Sequence, residues 1–395
     1  MRDVMKEAVI VSATRTPVGK FGGGLKDLSA TKVGAVAVRE AVRRAKIEPK
    51  TVEECIMGNV LSAGLGQNPA RQAALWGGLS EEVAALTVNK VCGSGLKAVM
   101  LAADSILAGK QKVVVAGGME SMTNAPYLLE KARFGYKLFD SSLVDAMVRD
   151  GLWDVYNNFH MGNTGEIIAQ RHDVTREQAD KFSLWSHQKA VKAIKSGAFR
   201  DEIVHVELPS KKEVAIFSQD EGPREDTTME VLAKLKPVFR NDGVLTAGNS
   251  SSINDGASAL VVMDSDYAKE TGARPLVKIV DYVTTGIKPE LLMEAPISAV
   301  QKLLQRNNLQ VKDIDLFEHN EAFSTASVAT MNILGIPEDK FNVNGGAVAL
   351  GHPIGASGAR VLTTLIYAMR AKGAKRGVAT LCLGGGNAVA MLIEQ

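Results

Sequence analysis

Two cysteines stand beside glycines in a way that bears on chemistry. Cys92 sits in NKVCGSGLKAV, where a short apolar stretch gives way to Gly93-Ser94-Gly95 and then to a helical pattern. That spacing predicts a helix N-terminus, where the macrodipole and free backbone N–H groups favour the thiolate, the nucleophilic form of cysteine. The same segment also suits a small buried thiol in a tight strand-to-helix turn. Cys382 lies in LCLGGG, a buried-strand pattern followed by Gly384, Gly385 and Gly386, whose bare backbone a ligand can approach. His352, in ALGHPIGASG, serves either as a base toward a nearby thiol or as a capping or core side chain. Asn320, in EHNEAF, offers an amide donor at a strand end or a helix N-cap. The cysteines number three, and none pairs at a CxxC or similar spacing, so neither a disulfide framework nor a metal site is expected. His172, His187 and His205 lie in polar contexts and read as surface residues.

Positioning these groups takes a large scaffold, and 395 residues suffice for two or three domains. With 46% hydrophobic and 23% charged residues the chain matches an average soluble globular protein, which excludes disordered and collagen-like classes. A net charge of +2 argues against nucleic acid as a partner. The apolar run Ala8–Val11 is too short for a signal-peptide core, and the most apolar stretch, Gly377–Ile393, is broken by Gly384–Asn387 and falls short of the ~20 residues a bilayer requires. A cytoplasmic protein without a membrane partner is expected.

The chain also repeats itself. AVIVSATRTP, a helical stretch and IEPKTVEECIMGNV recur in order and spacing as VKIVDYVTTGIKP, a helical stretch and LQVKDIDLFEHNEA. Later, the segment from Cys92 resembles that from Pro353 when Ser94-Gly95 is laid on Ser357-Gly358. Continuous apolar strands alternating with helices of about 15 residues predict an α/β fold of two pseudo-symmetric layered halves, with helices covering mixed sheets. The halves are residues 1–121 with 254–275, and 276–395; residues 122–253, richer in charge and aromatics, form an inserted loop subdomain of the kind that covers a site.

Taken together, these segments resemble the thiolase family, nearest the members that act on acetoacetyl-CoA. SATRTPVGKFGG, GNVLSAGLGQNPARQAAL, NKVCGSGLKAV, AGGMESMTNAPY, FHMGNTGE, KLKPVF, LTAGNSSSINDGASAL, HNEAF, NVNGGAVALGHPIGASGAR and CLGGGNA appear in order along nearly the whole chain. The resemblance implies the thiolase fold, layered α-β-α-β-α, and the reversible condensation of two acetyl-CoA to acetoacetyl-CoA and coenzyme A. It makes Cys92 the nucleophile that carries the acyl group, His352 its base and Cys382 the second acid and base. Asn320 would fix a water at the enolate oxygen, and the backbone N–H groups of Cys92 and Gly384 would hold the acyl oxygen. His160, Met161, Arg224, Phe239, Ala247, Gly248, Ser251 and Phe323 resemble the surface that takes coenzyme A, which is a substrate; no cofactor is implied. A homotetramer or homodimer is expected on the same ground.

One segment departs from the family pattern. Where a Met-Gly-x-Gly-Pro run is usual, the chain has Leu292, Met293, Glu294, Ala295 and Pro296, which bears on acyl-chain preference. A broad-range 3-ketoacyl-CoA thiolase is the alternative. A Cys-His-Asn thioester hydrolase leaves Cys382 and the repeat unexplained, a non-enzymatic acyl-CoA carrier would ordinarily lack a reacting thiol, and condensation on an acyl-carrier protein is disfavoured by Cys382.

Overall fold

The computed structural model describes residues 6–208 and 215–395. The strands that position the site are β1 (Ala8–Arg15), β2 (Glu54–Gly58), β3 (Ala84–Val88), β4 (Val113–Ser121), β5 (Asn254–Asp264), β6 (Val277–Gly286), β7 (Leu316–His319), β8 (Arg376–Leu383) and β9 (Asn387–Glu394). The helices are α1 (Ala30–Ala45), α2 (Ser94–Leu107), α3 (Gly162–Arg171), α4 (Arg176–Ser196), α5 (Ala295–Arg306) and α6 (Ile354–Lys372). The strands run β7-β8-β9-β6-β1-β5-β4-β2-β3, and Gly19–Lys20 adds a short tenth strand against β5. Read outward from the centre, β1-β5-β4-β2 and β6-β9-β8-β7 have the same order, so the chain folds as two α/β halves. The halves are hydrogen-bonded into one sheet, because Val9 and Ile10 of β1 pair antiparallel with Lys278 and Val277 of β6.

β4 and β5 are buried along their whole length and pair antiparallel from Val113–Met263 to Ser121–Asp255. Strands covered on both faces carry continuous apolar runs, as these do. Outside the first half, Val33, Ala37, Val38 and Ala41 of α1 pack with Val115, Ala259 and Met263. Outside the second, α5 lies on β6, β8 and β9. Between the halves, α2 and α6 form a shared central layer, where Leu96, Val99, Met100, Val361, Leu362 and Leu365 are almost wholly buried. Each such side chain contributes about 1.5–3 kcal/mol.

α2 and α6 cross at the repeated Ser-Gly pairs. A Cβ on Gly95 would stand 2.7 Å from Ala359 N, and one on Gly358 would stand 2.3 Å from Leu96 N, so glycine alone permits this approach. The crossing brings both helix N-termini to one place. The insert is tied to the first half by buried charge: the Arg15 guanidinium donates to both oxygens of Asp220, at 2.7 and 2.9 Å, and to Glu202. All three side chains are fully buried or nearly so. Among the described residues, no helix is long and apolar enough to cross a membrane.

Candidate active site

Cys92 lies in the turn that leads into α2. Val91 before it has φ 48°, a left-handed conformation that a β-branched residue rarely adopts and that costs on the order of 1–3 kcal/mol. The turn is held by Ser94, whose hydroxyl donates to Val91 O at 2.6 Å and accepts from Lys90 N at 2.8 Å. The result is a thiol presented at the mouth of a helix, half-buried and open to a cavity. The expected stabilised thiolate is corrected by the surroundings. Burial pushes the Cys92 thiol up to about 12, outweighing the opposing N–H groups of Gly384 and of Cys92 itself. At rest it is a neutral thiol whose charged form the two amides are placed to hold.

His352 occupies the equivalent turn before α6. Its backbone N–H donates to Asn254 Oδ1 at 3.0 Å, and its Nδ1 lies 2.6 Å from Ser357 Oγ. The Ser357 hydroxyl donates to Pro353 O at 2.9 Å, so it accepts from Nδ1–H and leaves the lone pair on Nε2. Nε2 is buried, with no hydrogen-bond partner among the described residues. Burial, and then the Arg360 charge, push the imidazole down to about 3, so it is neutral and available as a base.

Cys382 is the penultimate residue of β8, and the turn to β9 runs through Gly385 and Gly386 at φ 80° and 84°. A Cβ on Gly386 would stand 2.3 Å from Ile287 O. Burial and the nearby Cys92 raise the Cys382 thiol well above its ordinary value. Its Sγ lies 3.6 Å from Met293 Sδ, on the short 3-10 turn Pro289–Glu294 that the sequence marks as departing from the family pattern. Glu294 anchors that turn to the end of α3, through Arg171 and through His172 Nε2 at 3.0 Å.

These groups share the wall of one cavity of about 700 Å³. Its lining includes Cys92, His352, Cys382 and Gly384, and also His160, Met161, Arg224, Phe239, Ala247, Gly248, Ser251 and Phe323. His160 stacks on Phe239 at 5.0 Å, and Phe323 meets Phe239 edge-on at 5.8 Å, giving a continuous aromatic wall. A Cβ on Gly162 would stand 2.3 Å from the Phe239 ring, which accounts for the glycine of FHMG. Leu292 and Met293 project into the same wall.

Asn320 is the exception. It follows β7, fully buried, with both ends of its amide unpartnered, and it is not among the lining residues. Its two buried polar atoms, without a partner among the described residues, suit an ordered water. The reading of His187 as a surface residue is overturned. Packed from α4 against the cavity wall, it is 7% exposed and its Nδ1 accepts from Arg224 N at 3.2 Å. His172 is half-buried by its contact with Glu294.

Three glutamates had no assignment from sequence. Glu120 accepts from Asn59 Nδ2, Val60 N, Leu61 N and Gly355 N at 2.7, 3.1, 3.1 and 2.8 Å, joining the first half to the N-terminus of α6. Glu321 accepts from Ser186, Asn342 and Val348 N and so fixes the glycine-rich segment that leads to His352. Glu166 accepts from Val244 N and Leu245 N, both at 2.9 Å, and fixes the loop bearing Ala247 and Gly248. All three lie in segments that resemble the family, AGGMESMTNAPY, HNEAF and FHMGNTGE, but nothing in residue type distinguishes a buried hub from a surface carboxylate.

The models of two thiolase domains match nearly the whole chain, the N-terminal domain at residues 8–266 and the C-terminal domain at 273–395. An acetyl-CoA acetyltransferase of Escherichia coli is 53% identical over 99% of this chain and 100% of its own length, and one of Cupriavidus necator is 49% identical over the same shares. The crystal structure of the Bacillus anthracis acetyl-CoA acetyltransferase superposes with a TM-score of 0.97 at 41% identity, covering 99% of both chains. Two matched domain models in the order of the two halves, and relatives alike from end to end, establish that the chain belongs to the thiolase family.

Proposed function

We propose that the protein is an acetyl-CoA C-acetyltransferase, condensing two acetyl-CoA to acetoacetyl-CoA and coenzyme A, or running the thiolysis in reverse. The observation that carries this reading is that two thiols and a neutral imidazole with a free Nε2 face one cavity. The named activity of full-length relatives at about half identity supports the choice of acetyl-CoA.

In the first half-reaction the Cys92 sulfur attacks the thioester carbonyl and His352 Nε2 takes the thiol proton. The N–H groups of Cys92 and Gly384 hold the oxygen as it becomes negative. Coenzyme A leaves as a thiolate and takes the proton of Cys382, so that the acylated enzyme holds a Cys382 thiolate and a His352 imidazolium. In the second, Cys382 removes the α-proton of a new acetyl-CoA; the enolate oxygen is held by His352 N–H and by a water fixed by Asn320. The enolate carbon attacks the acyl group, and the Cys92 sulfur departs and recovers its proton from His352. Arg224, the aromatic wall and the loop with Ala247, Gly248 and Ser251 hold coenzyme A.

The hydrolase alternative needs Asn320 to orient His352, and the partner of Nδ1 is Ser357. A homotetramer or homodimer in the cytoplasm, serving fatty acid metabolism, completes the proposal. The exposed apolar side chains of Tyr127, Leu129, Phe134, Leu138 and Phe139, and the edge strand β3 with exposed Leu86, support self-association. Release of coenzyme A from two acetyl-CoA, and acetyl-CoA formed from acetoacetyl-CoA plus coenzyme A, test the activity together. Hydrolysis without acyl transfer to coenzyme A would overturn it.

A further inference from the structure

The geometry points to Met293 as a positioning residue for Cys382: its thioether accepts the S–H of that thiol, holds the proton at rest and releases it to the coenzyme A thiolate as that departs. This inference rests on the proposed role of Cys382 as second acid and base. The two sulfurs lie 3.6 Å apart, with Cys382 and Met293 exposed by only 1% and 2%, so water does not compete for the thiol proton. A thioether accepts but cannot donate, so it can orient a thiol only in this one sense.

The placement of Met293 is built rather than incidental. On one side, Glu294 binds Arg171 and His172 at the end of α3; on the other, Ile287 N donates to Gly386 O at 2.7 Å in the turn that follows Cys382. Thiol and thioether are thus carried by two segments tied together within a few residues of each sulfur. The titratable groups near Cys382 are otherwise committed. Cys92 and His352 face it across the cavity, Glu318 and His319 on β7 bond Arg360 and Ser327, Glu394 on β9 pairs with Arg376, and Glu294 turns to α3.

An acceptor for S–H favours the neutral thiol, the form that must protonate the departing coenzyme A, and makes the thiolate that remains a stronger base toward the α-proton. Once the proton has left, nothing on Met293 can hold the charge, which favours its prompt return.

The test separates acceptor from volume. Met293→Leu keeps the bulk and removes the acceptor, whereas Met293→Gly removes both. Deuterium exchange from the methyl group of acetyl-CoA reads the second half-reaction, and burst acylation of Cys92 reads the first. In Met293→Leu, exchange should fall about tenfold further than acylation, and the rising limb of the exchange profile, set by ionisation of Cys382, should move about half a unit to lower pH. Exchange and profile like those of the unsubstituted enzyme, or a loss of rate with an unmoved profile, would overturn the inference and leave Met293 as packing. Cys382→Ser distinguishes the two levels. Unchanged exchange in that variant defeats the proposed function itself, whereas exchange lost there but retained in Met293→Leu defeats only the role of Met293. A readout on the unsubstituted protein is the infrared S–H band lost in Cys382→Ser. It should lie at the lower frequency of a hydrogen-bonded thiol, and a free-thiol band would contradict the contact.

Discussion

The Ser357 hydroxyl stands 2.6 Å from His352 Nδ1 and donates onward to Pro353 O, whereas Ser94, its counterpart in the repeat, braces the turn of Cys92 through the backbone alone, donating to Val91 O and accepting from Lys90 N. Internal duplication thus places one serine at the start of each helix, and only in the second does it reach the reacting side chain. Nucleophile and base come from equivalent turns, and the close crossing of α2 and α6 at Gly95 and Gly358 brings them together.

Ser357→Ala should therefore lower acylation of Cys92 about ten- to a hundredfold, since the imidazole loses the acceptor that fixes its tautomer. The fold should lose only about 1 kcal/mol, the net value of a buried hydrogen bond. Stopped-flow acylation and a denaturant titration check both numbers. A stability loss without a kinetic one would show that Ser357 only packs.

The pH dependence follows from the burial of His352. An exposed imidazole is half protonated near pH 6.5, whereas this one is pushed down to about 3 and so stays unprotonated well below that pH. The second-order rate of acylation should show no acid limb centred near 6.5 between pH 5 and 7.5. The same displacement has a consequence for stability. The folded pKa is depressed below the unfolded one, so between pH 6.5 and 3 the unfolded chain binds a proton that the folded chain does not. This contribution destabilises as pH falls through that window. An acid limb at the ordinary imidazole value in the kinetics would contradict the burial.

Asp220→Ala removes two hydrogen bonds of the fully buried Arg15 guanidinium and leaves it one carboxylate, Glu202, beside Thr16 O. Destabilisation of about 3–5 kcal/mol is expected, as for other buried pairs broken from one side. The insert should detach before the halves unfold, because Arg15 is the buried ionic tie between β1 and residues 202 and 220. Limited proteolysis across the insert, alongside a thermal melt, measures this. Cuts no faster than in the parent protein would count against it.

Leu292 and Met293 fill cavity wall where the family pattern has a methionine and a glycine. The enzyme should favour acetoacetyl-CoA over longer 3-ketoacyl-CoA substrates, each excluded methylene being worth about 1–3 kcal/mol. Thiolysis rates on four- to sixteen-carbon substrates decide it. Comparable kcat/KM on four and ten carbons would move the protein to the broad-range enzymes.

Much of this was legible in the sequence for a physical reason. Tight turns and close helix crossings demand glycine and small residues at fixed positions, so Gly95, Gly358 and the LCLGGG hairpin mark where Cys92, His352 and Cys382 must lie. What the sequence did not disclose depends on the distribution of solvent. The neutrality of Cys92 arises from burial that outweighs two amides at a helix entrance, and helix position alone suggested the opposite. His187 looks polar in its own segment, and only the packing of α4 against Arg224 encloses it. The joining of the two halves through Val9 and Ile10 involves two residue pairs, too few to leave a pattern.

Covalent labelling of Cys92 tests the central claim most directly. Incubation with acetyl-CoA carrying a labelled acetyl group, followed by acid quench and peptide mass analysis, should find one acetyl thioester, on Cys92, and none in Cys92→Ser, where the hydroxyl is a far weaker nucleophile at neutral pH. Label on Cys382 or Cys55, or acetoacetyl-CoA formed at an undiminished rate by Cys92→Ser, would contradict the mechanism.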